Sequence, residues 1–216
     1  MAFCILTYGR SGSTFLVKLL NRHPSISCKG EILHGQKRPV LDAVQKVESL
    51  GKGTGVGCKI LTNQTRSDGI DIIESNIPKV INIRWNVLQS IVSAYVANKV
   101  QNWSNYSTKI KESFTVPYEY IDKVIYRAEK LRDGLISVAK NKDDCVLIQY
   151  ETLSVKSLNN VAQFLGHSSI NSWGLEIRPY RYLAYTYLEN RTDLEKKYGY
   201  CLPLSSEEEV YKDCLQ

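Results

Sequence analysis

Short, continuously apolar runs alternate with segments of helical spacing along this chain, and no other feature limits its fold as much. Ala2–Thr7, Ile26–Lys29, Gly55–Leu61, Val80–Ile83 and Cys145–Gln149 read as strands. Ser13–Arg22, Val40–Leu50, Asp68–Asn76, Val87–Lys99, Pro117–Lys140 and Ser154–Leu165 read as helices. The longest is marked by Ile121, Val124, Ile125, Ala128, Leu131, Leu135 and Val138 at helical spacing. Pro117 suits its first turn, and Gly166 is placed to end the last helix. A strand that is apolar at successive positions is buried on both faces, which is the pattern of a parallel sheet covered by helices. Ligands of such sheets bind beyond the carboxyl ends of the strands, here after Thr7, Lys29, Leu61, Ile83 and Gln149.

Composition narrows the class further. The 216 residues hold no repeat, low-complexity tract or Pro/Gly-rich linker, so a single domain over 1–216 is expected. No apolar run approaches the roughly 20 residues that span a bilayer. The first residues enter a core strand without a basic leader. A cytoplasmic location with no membrane span is therefore expected. The six cysteines form no CxxC pair, and no His/Cys/Asp cluster offers a metal site, so no metal is expected. Cys4, Cys58 and Cys145 lie in apolar runs, where a thiol packs as a small hydrophobe. Asn-x-Ser/Thr triplets at Asn63, Asn102, Asn105 and Asn190 are attributed to chance. The net charge of +6 favours anionic ligands. Scattered basic residues argue against nucleic acid as the partner.

Directly after the first strand, Tyr8-Gly9-Arg10-Ser11-Gly12-Ser13-Thr14 leads into the first helix. The glycines permit a tight turn, and Ser11, Ser13 and Thr14 supply hydroxyl donors. The N–H groups and dipole of a helix start favour an anion, and Arg10 adds a full positive charge. The plain alternative is a serine-capped strand–turn–helix connection. A Walker A loop is excluded, since that motif needs a lysine immediately before its Ser/Thr.

The segment Gly9-Arg10-Ser11-Gly12-Ser13-Thr14-Phe15-Leu16 resembles the 5′-phosphosulfate loop of sulfotransferases that use 3′-phosphoadenosine 5′-phosphosulfate (PAPS). The likeness is closest to the carbohydrate, lipopolysaccharide and Nod-factor type, where Arg often replaces the Lys of the cytosolic enzymes. It implies an α/β, P-loop-like three-layer fold with a central parallel sheet flanked by helices. PAPS would be the donor, and adenosine 3′,5′-bisphosphate the product. The backbone of Ser11, Gly12, Ser13 and Thr14, with Phe15 in the same segment, would bind the 5′-phosphate. Arg10 would contact the bridging oxygen or the sulfuryl group.

A second element has Val80-Ile81-Asn82-Ile83 ending in Arg84, and Asn86 is a natural N-cap for the helix that follows. Ser90 and Ser93 share one face of that helix. Sulfotransferases carry a 3′-phosphate element of this form, and the resemblance assigns Arg84 and Ser93, with Ser90 as a substitute. Arg84 lies one position further from Ser93 than in the cytosolic enzymes. The Arg-x-Asn form resembles the lipopolysaccharide-type branch instead. A guanidinium on the 3′-phosphate would separate such a nucleotide from ATP.

Transfer to a hydroxyl benefits from a base that takes the acceptor's proton. Gly30-Glu31 resembles the branch in which a glutamate has that role. The cytosolic enzymes use a histidine in a Lys-Thr-His setting, whereas Lys59-Ile60-Leu61 has none. Glu31 is the expected base, with His34 ranked below it and a solvated loop carboxylate as the plain reading. Lys59 would neutralise charge on the transferring group or the substrate, or simply reach solvent from its strand. Tyr150-Glu151, the Phe164-Leu165-Gly166 helix end and Asn190 with Leu194 also resemble the family. Tyr150 and Glu151 are expected to stitch a strand end to its neighbours. Arg178, Arg181 and Arg191 are further candidates for the 3′-phosphate. Residues 101–116, with Trp103, Tyr106 and Phe114, read as an acceptor-binding lid or a long anchored loop. His23 reads as a helix-end residue.

The expected function is in-line sulfuryl transfer from PAPS to a hydroxyl or amine acceptor, a carbohydrate or small molecule. Positioned cations and N–H groups would stabilise the developing charge. The rival readings are a small-molecule kinase with a variant P-loop and a non-catalytic nucleotide-binding protein. A nucleic-acid binder ranks below both.

Overall fold

The computed structural model describes residues 2–33, 49, 55–62, 70–101, 112–174, 185 and 187–202. His34, Arg178, Arg181, Trp103, Tyr106 and most of the expected helix over 40–50 lie outside the described residues. Five strands, β1 (Ala2–Thr7), β2 (Ser27–Glu31), β3 (Val56–Leu61), β4 (Lys79–Ile83) and β5 (Cys145–Gln149), form one sheet in the order β2-β3-β1-β4-β5. Every pairing is parallel. The described helices are α1 (Ser13–Leu20), α2 (Ile70–Glu74), α3 (Val87–Lys99), α4 (Tyr118–Asn141), α5 (Val155–Phe164) and α6 (Arg191–Tyr198). The chain forms two compact units, Met1–Trp85 with Leu131–Arg178, and Asn86–Lys130 with Pro179–Gln216.

The first unit holds the whole sheet, and β1, β3 and β4 are buried along nearly their whole length because both of their faces are covered. Phe3, Ile5, Val80 and Ile148 pack with Phe15, Leu16, Leu19 and Leu20 of α1 and with Leu158, Val161 and Ala162 of α5. Cys4, Leu6, Cys58, Ile60, Ile81 and Ile83 pack with Ile72 of α2 and with Leu135, Ile136 and Val138 in the second half of α4. Each fully buried Leu, Ile or Phe contributes roughly 1.5–3 kcal/mol relative to exposure. The result is an α/β fold of three layers with a parallel core, as the apolar pattern requires. Gly57 interrupts β3 because the Phe3 ring occupies the space above it; a Cβ there would lie 2.3 Å from Phe3 Cζ.

Side chains set the ends of the elements. The helix expected to reach Arg22 stops at Leu20. Its C-cap residue, Asn21, turns its amide onto the β2 edge, accepting from Cys28 N at 2.6 Å and donating to Cys28 O at 2.8 Å. Ser154 and Ser157 form a capping box at the start of α5. Gly166, at φ 77°, ends it, with His167 N donating to Ala162 O at 2.8 Å and Gly166 N to Gln163 O at 2.9 Å. Lys79 is fully buried at the start of β4. Its ammonium donates to Ser75 O at 2.7 Å, Ile77 O at 2.8 Å and Asp144 Oδ2 at 2.5 Å. His23 stands just past the end of α1, its N–H on Leu20 O at 3.0 Å, and its ring is buried, with Nδ1 accepting from Ser25 N and Nε2 meeting Ser168 O at 2.8 Å.

The second unit packs Leu88, Val92 and Val96 of α3 with Ile121 of α4 and Leu194 of α6. Phe114 and Leu188 form a parallel bridge. Asn190 pairs both ways with one residue, accepting from Val116 N at 3.2 Å and donating to Val116 O at 2.8 Å. The Asn-x-x-x-Leu pattern thus has a packing cause: the amide ties down the chain entering α6, and Leu194 is buried one turn on.

Strand order fixes where a ligand can enter. β1 lies between β3 and β4. The chain leaving β1 returns as β2 on one side, and the chain leaving β4 returns as β5 on the other. The connections diverge, which is where the ligand crevice of such a sheet lies, outside the carboxyl ends of β1 and β4.

Candidate functional site

The loop from Tyr8 to Thr14 stands at that crevice. Gly12 is the N-cap of α1 and has no side chain to close the helix start. The first N–H groups of a helix lack the partner four residues back that the later ones have, the arrangement in which a helix start can cradle an anion. Gly12 adopts φ 86°, and Arg10 adopts φ 65°, so two left-handed residues flank Ser11. Only glycine fits at 12, because a Cβ would lie 2.1 Å from Tyr150 Cδ2. Ser13 is buried and Thr14 is exposed. Phe15 is buried in the core and donates its N–H to Gly12 O at 2.9 Å.

Ser11 does not present its hydroxyl to the crevice. It is fully buried, with its Oγ paired to Thr7 Oγ1 at 2.5 Å and accepting from Asn82 Nδ2 at 2.9 Å. The same amide donates to Ser11 O at 3.2 Å, and Thr7 Oγ1 donates to Asn82 O at 2.7 Å. The backbone of Ser11 is thereby held, while its side chain serves the loop's own structure. The sequence reading missed Asn82; the signal was an amide in the middle of an apolar strand.

Glu31 and Lys59 meet at the loop. The expected second strand ended at Lys29, but β2 runs on to Glu31 through a register shift between Lys29 and Glu31. The shift leaves Gly30 unpaired and sets Glu31 opposite Lys59. Without it Gly30 would face Lys59, and Glu31 would fall opposite Ile60 on the other face of the sheet. Lys59 Nζ contacts Glu31 Oε1 at 2.7 Å and donates to Thr14 Oγ1 at 3.1 Å. The lysine side chain is 7% exposed and the glutamate 24%. One ammonium therefore links the start of α1 to the carboxylate, which keeps an opening to solvent.

Arg84 enters from β4. Its backbone is latched by Tyr8, whose hydroxyl donates to Arg84 O and accepts from Arg84 N at 3.0 Å. Burial pushes the Tyr8 phenol far above its ordinary range, so it stays a donor. Arg84 Nη1 donates to Arg10 O at 3.3 Å, and its guanidinium lies 4.8 Å from the centroid of the Tyr150 ring. Tyr150 thus touches both the Gly12 turn and the arginine. Glu151 Oε2 accepts from Trp85 N at 3.0 Å, and Tyr150 N donates to Ile83 O at 2.9 Å. These are the stitches expected of the pair. Trp85 is 46% exposed, with the Arg132 guanidinium 4.9 Å from its ring.

The first unit therefore gathers Arg10, Ser11, Gly12, Ser13, Thr14, Phe15, Glu31, Lys59 and Arg84 at one end of its sheet. Ser90 and Ser93 lie on α3 in the second unit, where both are buried. Asn86 caps that helix, accepting from Gln89 N at 3.1 Å. Arg191 is committed within the second unit, with Nε on Glu195 Oε1 at 3.1 Å and Nη2 on Leu202 O at 2.5 Å. Among the described residues, no helix is long and apolar enough to cross a membrane.

No family model matches the chain, and no curated protein matches it. Among solved structures, mouse sulfotransferase SULT7A1 complexed with PAP is similar, with 14% identity and a TM-score of 0.49, covering 99% of this chain and 75% of that one.

Proposed function

We propose that this chain moves a sulfuryl group from 3′-phosphoadenosine 5′-phosphosulfate to a hydroxyl or amine acceptor. The observation that carries the reading is Lys59, whose ammonium bridges the uncapped start of α1 and the Glu31 carboxylate. An anion cradle, a cation and a base thus converge on one place, which is what a transfer of an anionic group to a nucleophile requires. The residues fit the donor: a glycine-capped helix start, Arg10 and Arg84 suit a nucleotide with separate anionic groups.

In this reading the N–H groups from Ser11 to Thr14 hold the 5′-phosphate, and Arg84 holds the 3′-phosphate. When bound, the donor supplies the sulfuryl group and a bisphosphate that leaves. Arg10 and Lys59 neutralise charge on the non-bridging and leaving oxygens. Glu31 removes the acceptor proton, and its partial exposure gives an acceptor access. A carbohydrate acceptor follows from the family resemblance of the loop and of Gly30-Glu31.

Thermal shift with adenosine 3′,5′-bisphosphate against ATP plus Mg²⁺ tests the reading. The bisphosphate at about a hundred times its Kd should stabilise the fold by about 2.7 kcal/mol. ATP plus Mg²⁺ should leave it unchanged. Stabilisation by ATP plus Mg²⁺ alone would favour the variant-kinase reading. Glu31→Gln should keep bisphosphate affinity and lower transfer by about 10²–10⁴-fold; unchanged turnover removes Glu31 from the chemistry.

A further inference from the structure

The anion loop has a strained backbone and needs something to hold it. Arg10 is a bulky residue at φ 65°, two positions before Gly12 at φ 86°. Non-glycine residues persist in that region only where their surroundings over-determine them. Ser11, between the two, is fully buried, its side chain turned into the protein.

Its anchor is a buried polar cluster of Thr7, Ser11 and Asn82, each 0% exposed. Thr7 ends β1 and Asn82 sits beside it on β4, in register. Thr7 Oγ1 donates to Asn82 O, which leaves Ser11 Oγ to donate to Thr7 Oγ1. The Asn82 amide nitrogen donates to Ser11, lying 2.9 Å from its Oγ and 3.2 Å from its carbonyl oxygen. Asn82 Nδ2 also lies 3.2 Å from Thr7 Oγ1. Asn82 Oδ1 is buried and has no hydrogen-bond partner among the described residues. An amide held with one acceptor unpaired has been placed for its donors.

We infer that Asn82 is the positioning residue of the anion loop, fixing Ser11 so that the flanking left-handed residues turn the N–H groups of Gly12–Thr14 towards the crevice. This rests on the proposed donor site only for what the loop binds; the holding of the loop stands separately. A carboxylate of the same shape cannot replace the amide, because it would set an acceptor against the Ser11 carbonyl. An aliphatic side chain would leave that carbonyl and hydroxyl buried without a donor.

Two measurements on the full chain test this. Hydrogen exchange without ligand should show the amides of residues 10–15 exchanging about 10- to 100-fold faster in Asn82→Ala, with α5 unchanged. Titration with adenosine 3′,5′-bisphosphate should show Asn82→Ala binding about 10- to 100-fold more weakly. Ile72→Ala, a cavity in the opposite layer, should bind as wild type at a similar loss of melting temperature. Asn82→Asp keeps the volume, and its affinity should recover on acidification as the carboxyl gains a proton to donate. Loop exchange in Asn82→Ala equal to wild type, or Ile72→Ala weakened in parallel with it, overturns the inference. Faster loop exchange in a protein that binds no bisphosphate would support Asn82 and refute the donor reading.

Discussion

Replacing Gly12 by alanine should damage the fold through two separable causes. The first is local: alanine at φ 86° meets the left-handed penalty of roughly 1–2 kcal/mol. The second is steric. The new Cβ would lie 2.1, 2.5 and 2.8 Å from Tyr150 Cδ2, Cε2 and Cγ, so the ring has to leave. Leaving forfeits its edge contact with Phe15, at 6.5 Å between centroids, and its place under Arg84. Those are worth about 0.5–1.5 and about 0.5–1 kcal/mol. The total is about 2–4.5 kcal/mol. Urea denaturation of Gly12→Ala, Tyr150→Ala and the double variant separates the causes. In the Tyr150→Ala background the ring is gone, and Gly12→Ala should cost only the backbone part, about 1–2 kcal/mol. The cycle should therefore show coupling of about 1–2.5 kcal/mol. Penalties equal in the two backgrounds to within about 0.5 kcal/mol would refute the steric argument.

Lys79→Met should lower stability by about 1–3 kcal/mol in the same assay, since it takes the ammonium away from the Ser75 and Ile77 carbonyls that accept from it; a loss under about 0.5 kcal/mol would show the clamp to be dispensable. The structure also sets a pH response. Burial and then the neighbouring His23 hold His167 below its ordinary value of 6.5, so the unfolded chain takes up the proton first. Stability should be full above that value and fall as pH drops through it towards the lower folded one. Melting temperatures should decline from about pH 7.5 to about pH 5.5, and the decline should shrink in His167→Gln. An identical profile in the variant would assign the response to another group.

Where burial was two-sided, the sequence was easy to read. β1, β3 and β4 lie within a residue of the apolar runs because a strand between two helical layers has little exposed face. β2 was cut short because it is an edge strand, half exposed, whose last residues are Gly30 and Glu31. No local pattern marks the register shift that aims Glu31, since it is defined only against β3. The loop was legible as a glycine–cation turn, and its hydroxyls were not. Ser11 points inward because of Asn82, 71 positions away, and spacing along the chain carries no record of such a partner. The contacts of Arg84 with Tyr150 and Arg10 are long-range in the same sense.

The pairing of Asn190 with Val116 bears on the triplet Asn190-Arg191-Thr192. The nitrogen to which a glycan would be attached is the one that holds Val116 O at 2.8 Å, partly shielded at the entrance to a helix. A completed fold withholds that nitrogen from any oligosaccharide-transferring enzyme. Sugar placed there beforehand would keep α6 from docking. Occupancy at this asparagine would thus record whether modification or folding came first.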